Sequence, residues 1–328
     1  MNAIAKIIEA KINQSNRIVI SSHEYPDFDA IGSSLAMQAF IAGMGKTATV
    51  ILPKEDIGIK GIPNGFDGIV SPCDYDFNNT PDLFIAVDCS EPKRICDKRI
   101  AQWVGNIPTI NIDHHGKELF GDVNYVIKDY SSTGELVYDI AKVNGWGITK
   151  DIAEAIWMAV ATDTNCFTGP AVRPSTFHCV AALCDVGVRV NFLSDRLFRE
   201  EPFNKFDLKR RAMSSAELWC NGRVATITLT PKDFKETKCI KQDGERFPEL
   251  AISIEGVQLA IFFYPFPVDG SGSTRISIRS RVGSKVVAKA LAEAFGGGGH
   301  EHSAAAAILG NFWENREKVR EFVERNFC

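Results

Sequence analysis

The sequence predicts an α/β protein in which a parallel-sheet domain is joined by a helical linker to a smaller mixed α/β domain. Three observations carry that reading. Between Arg17 and about Lys150, short apolar runs alternate with helical patterns, and several runs are apolar throughout, as strands covered on both faces of a parallel sheet are. Residues 189–221 are helical in pattern and dense in charge, with no strand signal. Beyond them strand-like runs come first and helices near the end, which fits a separate mixed domain. A chain of 328 residues suits two domains of roughly 150 residues each, and the boundaries fall at 1–188, 189–221 and 222–328.

Taken in order, MNAIAKIIEAKINQSNR reads as an amphipathic helix with Ile4, Ile7, Ile8 and Ile12 on one side; its interspersed charges make it neither a signal peptide nor a membrane span. RIVISS, TATVIL, LFIAVDCS and PTINIDHHG read as strands. SSTGELVYDIAKVNG opens with a capping box, Ser132 to Glu135, and stops at Gly145, so it is a helix punctuated at both ends. DIAEAIWMAVATDT is another helix, and FREEPFNKFDLKRRAMSSAELW forms the body of the linker. GRVATITLT, GVQLAIFFYPFP and STRISIRSR are strand-like; helix SKVVAKALAEAF, a glycine run, apolar SAAAAIL and a last helix through Phe327 complete the chain.

Composition narrows the function by exclusion. With 45% hydrophobic and 24% charged residues the chain is an ordinary globular protein. A net charge of -4 offers no general attraction to long nucleic acid or to a membrane, so any anion site is built locally. The nine cysteines are odd in number and scattered, with no CxxC pair, which predicts reduced thiols in a cytoplasmic protein.

The acidic residues and histidines collect where strands end. RIVISS is followed by His23, Asp27 and Asp29, LFIAV by Asp88, PTINI by Asp113, His114 and His115, and the helix DIAEAIWMAVA by Asp163. Functional groups in open α/β sheets gather at the carboxyl ends of the strands. Singly, each residue has an ordinary explanation: Asp27 and Asp29 can cap a helix, Asp88 can open a turn, and His114 can be a satisfied interior histidine. Together they do not, because converging carboxylates repel and burying each unpaired charge is expensive. Oxygen donors with a few imidazoles suit Mn²⁺, Mg²⁺ or another first-row divalent ion such as Co²⁺, with Mn²⁺ the expected cofactor, and four carboxylates balance two divalent cations. A metal pair that shares a water and clamps a phosphoryl group makes phosphoester hydrolysis the reaction class.

These motifs resemble those of the DHH phosphoesterase superfamily: DHH at 113–115, HxxxDxD at 23–29, VDCS at 87–90 and TDT at 162–164, in the family's order. SIRSR at 277–281 and GGGGH at 296–300 resemble the DHH-associated C-terminal domain. Length and domain pairing are most similar to the nano-RNase and 3′-phosphoadenosine 5′-phosphate phosphatase branch. The resemblance implies that His23, Asp27 and Asp88 hold one metal, and that Asp29, Asp88, His114 and Asp163 hold the other, with Asp88 bridging. His115 then faces the scissile phosphate, and Asp113 orients an imidazole from behind. The sequence departs from the family pattern at Phe28, where PDGDA is common, at Asn165, where TDTG is common, and at Ala305, where a glycine often stands.

The second domain reads as the substrate-binding part. A period of two in STRISIRSR puts Ile276 and Ile278 on one face and Arg275, Ser277, Arg279 and Arg281 on the other. Gly296 to Gly299 allow a ligand to approach the backbone closely, and their N–H groups with His300 can cradle a phosphate. By resemblance, Arg279, Gly298, Gly299 and His300 bind substrate across from the metals, in a site between the domains. A cleft clamped at both ends suits a short RNA or a small nucleotide, and no extended basic track for long nucleic acid is visible. Phe167 and Phe203 are assigned to the core rather than to base stacking. The expected activity is hydrolysis of short oligoribonucleotides and of 3′-phosphoadenosine 5′-phosphate. Dinucleotide hydrolysis, a pyrophosphatase or polyphosphatase, and a catalytically silent nucleotide-binding regulator are the alternatives; a homodimer stays open.

Overall fold

The computed structural model describes residues 2–53, 68–244, 246–270, 272–284 and 287–328. The chain forms two compact units, Met1–Glu200 and Glu201–Cys328.

The first unit runs α1 (Asn2–Gln14), β1 (Ile18–Ser21), α2 (Phe28–Gly43), β2 (Ala48–Ile51), β3 (Ile69–Val70), β4 (Leu83–Val87), α3 (Lys98–Ala101), β5 (Thr109–Asp113), β6 (Val123–Val126), α4 (Thr133–Asn144), α5 (Lys150–Asp163), α6 (Pro174–Val186) and α7 (Val190–Ser194). Its six strands are all parallel, in the order β3-β2-β1-β4-β5-β6. The four expected strands are present. β3 and β6 went unread, one because it has two residues and the other because its VNYV lies at the sheet edge with only alternate residues buried. Ile18, Ile20, Ile85 and Ile110 face a core built with α1, α2, α4 and α5, while Val19, Phe84 and Ala86 face a smaller one with Ile100 and Trp103. In α1, Ala5, Ile8 and Ile12 are buried, whereas Ile7, placed by sequence on the same side, is 47% exposed.

The expected capping box at α4 is half made. Ser132 accepts from the Glu135 N–H at 3.1 Å, but the Glu135 carboxylate is taken by Ser131 and by Thr176 at the start of α6. Gly145 ends the helix with φ 68°.

The second unit comprises α8 (Phe203–Ser214), β7 (Glu217–Trp219), β8 (Val224–Thr228), α9 (Pro231–Thr237), α10 (Phe247–Ile252), β9 (Leu259–Phe266), β10 (Ser273–Ser280), α11 (Ala288–Ala294), β11 (Gly298–His300), β12 (Ser303–Leu309) and α12 (Phe312–Phe327). Its sheet has the order β11-β12-β10-β9-β8-β7, antiparallel except between β8 and β9. α8, α9 and α10 supply Leu208, Phe234 and Phe247 to one core, and α11 and α12 supply Leu291, Val319 and Val323 to the other. The stretch 189–221 therefore divides: α7 belongs to the first unit, α8 packs into the second, and Glu217–Trp219 is an edge strand too short to show a period. The helix read from SKVVAKALAEAF is α11; Lys285 and Val286 lie outside the described residues.

Seven cysteines are free, but Cys220 and Cys328 form a disulfide, which corrects the expectation of reduced thiols for this pair. The end of α12 returns beside the turn after β7, bringing the two Cα atoms to 4.7 Å across a separation of 108 residues. Phe203 is also corrected: it is 81% exposed and stacks on Phe206, while Phe167 packs against the first core as assigned. Among the described residues no single helix is long and apolar enough to cross a membrane.

Candidate metal centre

β1 and β4 are neighbours whose connections leave toward opposite sides of the sheet, the arrangement that opens a crevice at the strands' carboxyl ends. His23 follows β1, Asp88 follows β4, and Asp113 ends β5 just before the two histidines. α2 brings in Asp29, and the last residue of α5 is Asp163. Every histidine and aspartate assigned to the metals by sequence thus meets at one end of the first sheet.

The donors form overlapping groups. One atom each of His23, Asp27 and Asp88 lies within 4.8 Å of the others, and the same holds for Asp29, His114 and Asp163 and for Asp88, His114 and His115. His114 Nε2 sits 3.4 Å from Asp163, 3.7 Å from Asp29 and 3.7 Å from Asp88. His23 Nε2 is 3.5 Å from the other Asp88 oxygen. Asp88 therefore faces His23 with one oxygen and His114 with the other. Its backbone is left-handed, with φ 51°, a conformation unusual outside glycine, and its N–H still bonds Ile112 O at 2.9 Å.

The chemistry of the donors fits a cation. Nδ1 of His114 faces the peptide oxygen of Tyr130 at 3.2 Å, so that nitrogen carries the proton. Nε2 is buried without a hydrogen-bond partner and faces three carboxylates. One imidazole nitrogen surrounded by carboxylate oxygens is a donor set that suits a bound cation. The carboxyl groups also perturb one another. Burial, then the neighbouring Asp88, holds Asp27 and Asp29 above the usual carboxylate range, and burial pushes Asp163 up to about 6. For Asp88 burial acts in the same direction, but hydrogen bonds from His115 and His23 outweigh it and hold its carboxyl well below that range.

Asp27 also does the ordinary job considered for it, capping α2 by accepting from the N–H groups of Asp29 and Ala30. Asp113 accepts from the N–H of His115 and of Gly116 and lies 3.0 Å from His115 Nδ1. Hydrogen bonds to Asp113 and then Asp88 push His115 up to about 10. Its imidazole is 47% exposed against 12% for His114, so the first histidine of the pair points inward and the second outward.

Sequence reasoning missed the groups that aim Asp29. The N–H groups of Thr133 and Gly134, at the start of α4, donate to its two oxygens at 2.8 and 2.9 Å, and Ser33 Oγ donates at 3.2 Å. Thr133 Oγ1 also donates to Asp88 at 3.0 Å. The signal was the SST opening of the helix, read only as a cap; a helix N-terminus also favours a carboxylate. Phe28 needs no left-handed backbone: it is the first residue of α2 and its ring packs against the first core. Asn165 does adopt φ 49°, opening a left-handed run that continues through Cys166 and Phe167.

The residues assigned to substrate form a line in the second unit. Arg279 on β10 lies opposite Ser303 on β12, and Ser303 lies opposite His300 on β11. Arg279 Nε donates to Glu249 at 2.9 Å. Arg281 leaves the expected arginine face: it donates to the carbonyls of Val257, Ile252 and Ile254, fixing the turn before β9. The glycine run serves the sheet itself. A Cβ on Gly297 would lie 2.2 Å from Ala305 O, and one on Gly299 2.6 Å from Ala304 Cα, so the close approach is to β12.

Residues 17–161 match the DHH family, N-terminal domain. The bifunctional oligoribonuclease and PAP phosphatase NrnA of Thermus thermophilus is 29% identical over 98% of this chain and 93% of its own length. The cyclic-di-AMP phosphodiesterase PdeA of Listeria monocytogenes is 25% identical over 93% of this chain but only 47% of that protein. Among solved structures, an exopolyphosphatase-related protein from Bacteroides fragilis superposes with a TM-score of 0.84 at 26% identity, covering 100% of this chain and 97% of that one.

Proposed function

Since the chain belongs to the DHH phosphoesterase family, in its nano-RNase-like branch, we propose that it hydrolyses short oligoribonucleotides and the 3′-phosphate of 3′-phosphoadenosine 5′-phosphate, using two divalent cations with Mn²⁺ preferred. The observation that carries the metal chemistry is His114, whose Nε2, buried and without a hydrogen-bond partner, lies within 3.7 Å of three carboxylates. His23, Asp27 and Asp88 would hold one ion, and Asp29, Asp88, His114 and Asp163 the other. When bound, such a pair lowers the pKa of a shared water and draws charge from the phosphoryl oxygens.

The protein's own part is orientation and charge. Thr133, Gly134 and Ser33 fix the Asp29 carboxylate, and the Tyr130 carbonyl fixes the His114 ring. His115, held protonated by Asp113, stands exposed at the rim, where it offers a positive hydrogen-bond donor to a phosphate oxygen. Arg279, Gly298, Gly299 and His300 are the proposed contacts for the rest of the nucleotide.

The relative named for oligoribonuclease and PAP phosphatase activity is matched over 93% of its length, whereas the cyclic-di-AMP phosphodiesterase is matched over 47%, and this favours short RNA and the bisphosphate over cyclic dinucleotides. The test is hydrolysis by the purified protein with Mn²⁺, Mg²⁺ or EDTA, on dinucleotide to pentanucleotide RNA, 3′-phosphoadenosine 5′-phosphate, cyclic dinucleotides and polyphosphate. Cleavage of RNA and the bisphosphate that EDTA abolishes is the expected result. Activity on polyphosphate alone would overturn the proposal.

A further inference from the structure

The loop carrying the two histidines is crossed by a lysine that no motif contains. Gly116, directly after His115, has φ 61°, and a Cβ there would lie 2.5 Å from both Cγ and Cε of Lys128. The stem of Lys128, from the loop after β6, therefore lies flat on the peptide that follows His115. Its side chain is exposed, and among the described residues no carboxylate lies within salt-bridge distance of its ammonium.

Two more lysines stand on the same rim. Lys117 donates to Glu91 Oε1 at 2.8 Å, and Lys93 reaches the other oxygen of that buried carboxylate. The N–H of Glu118 bonds Ser90 O at 3.2 Å, which stitches the loop after β5 to the loop after β4. Glu91 and Glu118 offset two of the three lysine charges. The charge left over belongs to Lys128, the lysine lying against the histidine loop.

A nucleotide carrying two phosphates brings more negative charge than the cleavage site addresses, since the metal ligands and His115 act on the scissile group alone. We propose that Lys128, with Lys117 beside it, binds the phosphate that is not cleaved: the 5′-phosphate of a nucleoside bisphosphate, or the adjoining phosphate of a short RNA. A flexible ammonium suits both, because it recognises charge without demanding one fixed orientation of the phosphate oxygens. The stem laid along Gly116 limits its freedom, so less order is lost when phosphate binds. This subsite rests on the phosphohydrolase reading above and adds to it a preference for substrates with a second phosphate.

The experiment compares Lys128→Gln, Lys117→Gln and the double variant with the parent protein in Mn²⁺. Substrates are adenosine 3′,5′-bisphosphate and adenosine 3′-monophosphate, and calorimetric binding of 5′-AMP, which carries only the retained phosphate, gives a readout independent of turnover. Lys128→Gln should raise KM for the bisphosphate and Kd for 5′-AMP about tenfold, with a markedly smaller effect on the monophosphate. Circular dichroism and melting curves matching the parent establish that the variants fold. Equal effects on both substrates, or none on either, would overturn the subsite while leaving the phosphohydrolase intact. A parent protein that cleaves neither nucleotide nor RNA would overturn the functional reading and this inference with it.

Discussion

Nδ1 of His114 meets the peptide oxygen of Tyr130 at 3.2 Å, and the Tyr130 hydroxyl in turn donates to Asp139 on α4. The ring of the inward histidine is thus set by a carbonyl whose own residue is tied to a helix. Tyr130→Phe removes the tie and leaves the Asp139 carboxylate, already held high by burial, without its hydroxyl donor. Mn²⁺ affinity, measured by calorimetry, should fall by about tenfold, as losses behind a metal-ligating histidine do. Unchanged affinity would mean that the carbonyl is held well enough without the hydroxyl.

Asp88 should be the least replaceable residue of the centre. Asn tolerates left-handed backbone nearly as well as any residue other than glycine, so Asp88→Asn keeps φ 51° accessible while removing the charge. The variant should melt as a folded protein and lose at least about a hundredfold in turnover on RNA. Normal turnover would refute its role between the two ions.

Without metal, the protein should become less stable as pH rises from about 5 to about 8. Asp27, Asp29 and Asp163 have folded pKa values above their unfolded ones, so the folded state binds more protons and loses stability as these carboxyls ionise. His115 adds to the trend, because its raised value gives stabilisation present below its unfolded pKa and lost as pH climbs toward about 10. Asp88 acts oppositely, but only in acid, where its carboxylate is protonated. Melting temperatures in EDTA should therefore fall across this window. Added Mn²⁺ should flatten or reverse the trend, since metal and protons compete for the same oxygens.

The candidate metal centre was legible in the sequence because its donors follow apolar strands: LFIAV and PTINI announce where Asp88 and His114 lie before anything folds. What aims those donors was not. Thr133 and Gly134 stand about a hundred residues from Asp29 in the chain, and only the packing of α4 beside α2 brings them together. Lys128 was invisible for a related reason, its stem crossing a glycine that in sequence merely follows DHH. β7 is too short for periodicity, and Cys220 and Cys328 lack the short spacing by which paired cysteines are read. Arg281 shows the converse error, since alternation gives the face of a residue but not whether its donors are already committed to nearby carbonyls.

The glycine run offers a way to separate architecture from binding. Gly297 and Gly299 have no room for a methyl group against β12, and Gly299 adds φ 145°. Gly297→Ala and Gly299→Ala should each destabilise the second unit by about 1–3 kcal/mol, read as a lower urea midpoint. Gly298 lies between them with nothing within 4 Å of the place a methyl group would take and no positive φ, so Gly298→Ala should leave the midpoint nearly unchanged. If the bare backbone of this exposed strand receives the nucleotide, as proposed, the same Gly298→Ala variant should raise KM for short RNA severalfold. A stable Gly298→Ala protein with unaltered KM would confine the glycines to the sheet and remove Gly298 from the substrate contacts.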